Sequence, residues 1–394
     1  MFFHLPARSS RLFQKNKNLA SRALWQLWNS NFHSRRDLCV FSGPGGGLYK
    51  PDEASSVSSD KPPHVPVMLK EVLHYLDIKP GQAVLDMTFG GGGHAKAILD
   101  TVSDVSILAL DRDPSAIILA RQLAQEHPGR VKPLLGRFSD LEVLLSGVDV
   151  KAGTIDAVLL DAGCSSMQMD QAQRGFSLSK DGPLDMRMDG DRFSDMPCAA
   201  DVVNTLDQQA LASILTAYGE ERHAGKIAAA IVEARRVRPI TRTQQLASVV
   251  AGAFPAAALY ARKDRLQRPS HVATKTFQAL RILVNDELNQ LHAGLRAAQT
   301  VLKSGGRLCV ITFHSLEDRL VKRFLRGADL SHLEQHHFDP RIKAKAKDKS
   351  MERKISGDDT YWYRFQKKVI TPEKDDMTDN PRGRSAKLRV AIRC

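Results

Sequence analysis

No apolar run in this 394-residue chain approaches the ~18–20 residues a helix needs to span a bilayer, so no membrane-spanning protein is expected. Cysteine is scarce: Cys39, Cys164, Cys198, Cys309 and Cys394 are odd in number, far apart, and include no Cys-x-x-Cys pair. That argues against a disulfide framework or a cysteine-rich zinc site and suits a reducing compartment. His332, His336 and His337 lie close in the chain but lack a cysteine pair or Asp/Glu set to complete a zinc site, so no metal is expected. Internal repeats are missing too. Acid is absent from positions 1–36, which hold Arg8, Arg11, Lys15, Lys17, Arg22, Arg35 and Arg36; the first acid is Asp37.

What is present is a globular composition, 42% hydrophobic and 26% charged, long enough for one large domain or two ordinary ones. The net charge is +13, but outside positions 1–36 only 50 basic residues face 44 acids. That mild excess permits a nucleic-acid partner without requiring one. The acid-free start is rich in Arg, Ser and Asn, with Leu24, Leu27 and Trp28 on one helical face. It predicts a mitochondrial presequence over 1–42, because a secretory signal needs an apolar core of roughly 7–15 residues. Gly43-Pro44-Gly45-Gly46-Gly47 and the Ser/Asp/Pro-rich run after it predict a disordered linker over 43–62.

The folded part is organised around Ala83 to His94. An apolar run closes on Asp86, breaks into Gly90-Gly91-Gly92-Gly93, and continues as a helix from Ala95. Each glycine costs roughly 0.5–1 kcal/mol relative to alanine in regular structure, so four in a row point to backbone lying close to a ligand at a helix N-terminus. Two further apolar strands end in an acid, Val105 to Asp111 and Ile155 to Asp161, and Val131 to Leu135 is a short strand between them. Asp113-Pro114 offers an N-cap with proline at N1 for a helix to about His127. Such strands alternating with helices predict a parallel sheet covered on both faces, the first part of an α/β domain over 63–168.

From 169 to 298 the alternation gives way to helical patterns, among them Gln208–Tyr218, Ala224–Arg236, Thr243–Phe254 and Thr274–Leu302, with no clear strand. Gly305 to Phe313 resumes the sheet, so a helical insertion is expected between the fourth and fifth strands. Thr360–Ile370 and Ala386–Ile392 predict a closing antiparallel pair in the second part, 299–394, after a lysine-rich loop over 341–354.

An acid at the tip of the second strand can accept hydrogen bonds from both ribose hydroxyls of a nucleoside, each worth roughly 1.5–3 kcal/mol. Asp111 is that candidate. The arrangement serves dinucleotide dehydrogenases and S-adenosylmethionine (SAM) methyltransferases alike; the glycine spacing fits the dinucleotide fingerprint poorly, and the insertion and antiparallel ending favour the methyltransferase. Asp161 with Gly163, Cys164, Ser165, Ser166 and Gln168 forms a second polar loop at the same edge.

Long motifs then make the reading specific. They include His64 to Glu71, the glycine turn through His94, Asp111 to Pro114, Asp161 to Gln168 and Arg174-Gly175-Phe176-Ser177. Further on come Asp181 to Asp189, Tyr218 to Glu221, Thr276 to Ile282, Phe313 to Arg319 and Asn380 to Ala386. On these motifs residues 64–394 resemble the MraW/RsmH family of ribosomal RNA cytosine-N4 methyltransferases, and the presequence points to its mitochondrial members. Ala162 and Cys164 replace aliphatic residues usual in that loop, and Val272 and Lys275 alter the pattern before Thr276.

The resemblance implies a Rossmann-like class I SAM-dependent methyltransferase fold with the helical domain inserted between the fourth and fifth strands. SAM would be held by Gly92, Gly93, His94, Phe138, Asp161 and Gln168, with Asp111 on the ribose. The reaction would be N4-methylation of a cytidine in mitochondrial small-subunit rRNA, in the matrix, on free rRNA or an assembling subunit alongside other assembly factors. A cytidine amine is a poor nucleophile, so an acceptor that draws its nitrogen toward tetrahedral geometry would help. Asp161 is the first candidate, Ser165 and Ser166 assist, and His314 is a further proton acceptor. No acid-Pro-Pro-aromatic loop, frequent in amine methyltransferases, occurs here. Arg174, Arg187, Arg235, Arg236, Arg238, Lys275, Arg281, Arg382 and Arg384 are candidate RNA contacts, and the acidic stretch Asp181 to Asp189 is expected to shape the pocket or brace Arg187. The competing expectation is a ribosome-assembly or RNA-binding factor whose methyl transfer is secondary or lost.

Overall fold

The computed structural model describes residues 66–256 (194 apart), 271–328, 330, 361–373 (367 apart) and 380–394. The presequence, the linker and the 341–354 loop expected from sequence lie outside these residues.

Four strands fall where continuous apolar runs placed them, β1 Gln82–Asp86, β2 Val105–Asp111, β3 Val131–Leu135 and β4 Ile155–Asp161, while β5 Leu302–Thr312 begins before the expected Gly305. Together with β6 Trp362–Arg364 and β7 Lys387–Arg393 they form one seven-stranded sheet in the order β3-β2-β1-β4-β5-β7-β6. The first five are parallel, and β7 runs antiparallel between β5 and β6. Parallel neighbours need crossovers, which helices supply on both faces. The sheet is thus the expected parallel α/β sheet closed by antiparallel strands.

Alternate strand residues feed two cores. Val84, Ile107, Ala109, Ala157, Leu159, Cys309, Ile311 and Val390 pack under α1 Leu69–Leu76, α2 Gly93–Thr101 and α3 Pro114–Glu126. Leu85, Leu108, Leu110, Val158, Leu160, Leu308 and Val310, also buried, alternate with them and so face the other side of the sheet. Asp113 caps α3 as its sequence predicts, accepting from Ser115 N at 3.0 Å with Pro114 at N1.

A short α4 Leu141–Ser146 precedes β4, and the described chain between β4 and β5 carries helices as its regular elements. It holds α5 Ser166–Asp170, α6 Ala199–Thr205, α7 Gln208–Gly219, α8 Ala224–Val237, α9 Thr243–Gly252, α10 Thr274–Asn285 and α11 Glu287–Val301. One expectation needs correction: Thr274–Leu302 is two helices. Asp286 takes φ 50° and ψ 38°, ending α10 and starting α11. Asn285 beside it is buried and hydrogen-bonds the 186–188 loop through Met186 O (2.7 Å) and Met188 N (2.8 Å), so packing overrides the helical periodicity. The closing pair also differs, since its first strand is only β6, followed by an isolated bridge from Ile370 to Leu388. After β5, α12 Ser315–Phe324 packs on β5 and β7 through Leu316, Leu320 and Val321.

Candidate active site

The carboxyl ends of β1, β2, β4 and β5 meet at one edge of the sheet, where a doubly wound fold binds its ligand. The turn after β1 is built for close approach. Gly90 (φ 54°) and Gly92 (φ 78°) adopt left-handed backbone that side chains strain to reach. A Cβ on Gly92 would meet the Phe89 ring at 2.6 Å, one on Gly93 would meet Pro66 Cγ at 2.4 Å, whereas one on Gly91 would meet nothing within 4 Å. The turn is thus packed on its protein side and open at Gly91, a cradle a ligand can use.

Three aspartates converge there. Asp111 is held by the glycine turn itself, accepting from Gly90 N (2.7 Å) and Asp113 N (2.8 Å). Asp86 is 1% exposed and accepts from Thr88 N at 3.0 Å, while the Thr88 hydroxyl oxygen accepts from Asp161 N at 2.7 Å. Thr88 therefore ties the tips of β1 and β4 together. Asp86 Oδ2 and Asp161 Oδ1 are buried with no hydrogen-bond partner. Burial is the main cause pushing Asp86 up to about 7, Asp111 to about 6 and Asp161 to about 8. The amides of Asp113 and Gly90 offset part of the rise at Asp111; at Asp161 the charges of Asp86 and Glu317 add to it. Among the described residues no Lys, Arg or His forms an ion pair with any of the three. A cationic, ribose-bearing ligand such as SAM would supply what they lack, so the residues present fit that cofactor.

The other residues named from sequence fall in two groups. Gly92, Gly93, Asp111, Phe138, Asp161, Ser165, Ser166, Gln168 and His314 all sit at strand ends on this edge. Ser165 and Gln168 form a capping box for α5: Ser165 N donates to Gln168 Oε1 (3.0 Å), and Gln168 N donates to Ser165 Oγ (3.2 Å). The Gln168 amide nitrogen also donates to Asp113 Oδ2 at 2.8 Å. Phe138 opens a short 3-10 turn against Gly294 of α11. His94 is nearly buried, with Nε2 3.1 Å from Val67 O. His314 caps α12, its Nδ1 accepting from Glu317 N at 3.4 Å and its Nε2 2.9 Å from Glu317 Oε1. Glu287, His314 and Glu317 bring ligand atoms within 4.8 Å of one another, yet Arg281 already forks onto Glu287 at 2.7 and 2.9 Å and lies 3.9 Å from Glu317. The positive charge that group needs is in place.

Several basic candidates turn inward rather than toward an open face. Arg174 pairs with Asp113 (2.6 Å) and donates to the carbonyls of Arg187 and Met188. Arg187 is braced by Asp185 at 2.7 Å. Arg235 donates to the Val203 and Leu206 carbonyls, Lys275 to the Glu220 carbonyl, and Arg281 to Glu287. Arg236 and Arg382 keep exposed side chains, 69% and 43%, beside Glu233 and Asp170. Arg238 and Arg384 are exposed. A residue that sequence reasoning left without a role is Asp86. Its signal is the one that singled out Asp111 and Asp161: an acid closing an apolar strand.

Comparison with known proteins agrees with this geometry. Residues 61–394 match the MraW methylase family. The 12S rRNA N(4)-cytidine methyltransferase METTL15 of Bos taurus is 59% identical over 338 residues, covering 84% of this chain and 82% of its own length. Ribosomal RNA small subunit methyltransferase H of Parvibaculum lavamentivorans is 44% identical over 331 residues, 84% of this chain and 89% of its own. Among solved structures, an rRNA methylase from Streptococcus thermophilus superposes with TM-score 0.34 at 8% identity over 82% of this chain and 93% of that one, too remote to inform the site. By a match over residues 61–394, and by a relative 59% identical over 84% of this chain, the chain is a member of the MraW methylase family.

Proposed function

We propose that the protein methylates the N4 amine of a cytidine in small-subunit rRNA of the mitochondrion, using SAM. The observation that carries this reading is the uncompensated acid cluster beside the glycine turn, in a chain 59% identical to an enzyme named for that reaction on 12S rRNA. The acid-free basic stretch at positions 1–36 supports import to the matrix.

SAM supplies an electrophilic methyl on a cationic sulfonium. The glycine turn and Asp111 would hold its nucleoside, the backbone amides of Gly90 and Asp113 fixing the Asp111 carboxylate in place for the ribose. Asp161, partly exposed at the tip of β4, would accept a hydrogen bond from the cytidine amine, orient its lone pair and take up its proton. Gln168, with both ends of its amide engaged, would act by holding the Ser165–Ser166 loop at the cleft. His94 and Phe138 would line the cofactor's two ends. His314 and Ser166 keep the shape of the same edge. A cytidine must leave its stack to reach this edge, so single-stranded or splayed-out RNA is the substrate, as free rRNA or in an assembling subunit with its assembly factors. The helical segment between β4 and β5 would form the RNA-facing domain, with Arg236 and Arg238 as its accessible cations, joined by Arg382 and Arg384 of the turn before β7.

The test is transfer of tritiated methyl from SAM to small-subunit rRNA by the purified protein, with the product digested and identified as N4-methylcytidine. Failure to bind SAM in calorimetry overturns the enzyme reading. SAM and rRNA binding without transfer would leave an assembly factor.

A further inference from the structure

Three acids converge on this edge, and their carboxylates are held differently. Asp111 has its carboxylate positioned by two backbone amides, whereas Asp86 has a single amide and Asp161 none among the described residues. Both of the latter have an oxygen sealed from solvent and without a partner. They stand on neighbouring strands, with Asp86 in register with Leu159 two residues before Asp161 and Thr88 bonded to both residues. Among the described residues the charges that act on them are negative: Asp111 of β2 acts on Asp86, and Asp86 and then Glu317 of α12 act on Asp161. Arg281 is bound to Glu287 and lies 3.9 Å from Glu317, and His314 is likewise turned to Glu317. Two adjoining carboxylates, each with an oxygen sealed this way, favour holding a proton when no counter-charge is bound.

We propose that Asp86 and Asp161 work as one proton-holding pair whose charge is set by the cofactor: it keeps a proton in the free enzyme, releases it when the cationic cofactor enters, and takes one back from the cytidine amine as methyl transfer removes the cofactor's charge. The inference rests on the SAM reading above. The step balances. The amine nitrogen forms the new N–C bond, the C–S bond breaks with its electron pair left on sulfur, and the surplus N–H proton passes to the Asp161 carboxylate. The pair then stands protonated next to the neutral product, ready to lose that proton to solvent when the next SAM binds. Asp161 is the catalytic residue in this scheme. Asp86 is a positioning residue that sets the proton affinity of Asp161 through its charge. The arrangement also separates cofactor from product, since only the sulfonium of SAM displaces the proton.

Calorimetric titration of the full-length protein at about pH 7.5, in two buffers of different ionisation enthalpy, counts protons exchanged on binding. SAM should release up to about one proton more than S-adenosylhomocysteine does, and its affinity should climb with pH by as much as about tenfold per unit while that of S-adenosylhomocysteine stays nearly flat. In Asp86→Asn the extra release should shrink and the climb should move to lower pH; S-adenosylhomocysteine binding reports whether the variant is folded. Equal proton release for the two ligands in the unmodified protein overturns the proposal even where SAM binds well. Absence of SAM binding overturns the enzyme reading beneath it instead.

Discussion

Asp189 and Asp86 are both aspartates with at most 1% of their surface exposed, one in the loop before α6 and one at the tip of β1. Asp189 receives Arg112, Arg137 (3.0 Å) and Arg192 (3.6 Å), and despite burial its carboxyl is held below the usual range by Arg112 and Arg137. Asp86 receives one backbone N–H, and burial drives it up. The same contrast repeats around them. Asp113 with Arg174, Asp185 with Arg187 and Glu287 with Arg281 are paired, whereas Asp161 is unpaired. A buried acid must find a partner or a proton. Guanidiniums from elsewhere in the chain meet the paired acids, and the contacts of Asp113 with Arg174 and of Asp189 with Arg112 and Arg137 join the segments after β2, β3 and β4; Asp86 and Asp161 at the ligand edge leave a position open for a charge from outside.

The comparison can be broken at either end. The largest effect is expected at the ligand edge: Asp161→Asn keeps the shape but cannot accept the amine proton, and single-turnover methyl transfer should fall by about 100-fold or more. Undiminished transfer at unchanged SAM affinity would remove Asp161 from the chemistry. Next comes the compensated end. Asp189→Asn strands Arg112 and Arg137 partly buried without their counter-charge, and urea denaturation should show a loss of about 3–5 kcal/mol. An unmoved midpoint would mean that the arginine cluster is ornamental. The smallest effect is a stability slope. A carboxyl whose pKa is raised in the folded state binds more protons there than in the unfolded chain, so stability falls as pH rises from about 4 toward the folded value of about 7 for Asp86. Asp86→Asn should therefore be more stable than the unmodified protein by a margin that widens over that window, by up to about 1.4 kcal/mol per pH unit, in melting curves of the apoprotein. A margin independent of pH would show that Asp86 is not titrating.

Much of the fold was legible because its strands are extreme. Val105–Asp111, Val131–Leu135 and Ile155–Asp161 have the ends the apolar runs indicated, since a strand buried on both faces can hold little else. Periodicity failed where it had no competitor in sequence: nothing in Thr274 to Leu302 announces that Asp286 turns left-handed so that Asn285 can bond a loop about 100 residues earlier. Arginines were the least legible residues at the site. Arg174 and Arg281 sit in basic-looking motifs, but whether a guanidinium meets RNA or an internal carboxylate depends on which acids the fold brings beside it.

By itself the sequence determined the parallel sheet with its helical interruption, the glycine turn and the acids that close β1, β2 and β4, because hydrophobic runs, glycine and strand-ending charge act locally. Only the tertiary structure decided which acids were left without a counter-charge. Asp113, Asp189 and Asp86 look alike in the chain, and the difference among them is made by side chains dozens of residues away: Arg174 closes on the first, Arg112 and Arg137 on the second, and among the described residues none on the third. Compensation of a buried charge is a long-range property, fixed by what packs around the group and not by its neighbours in sequence.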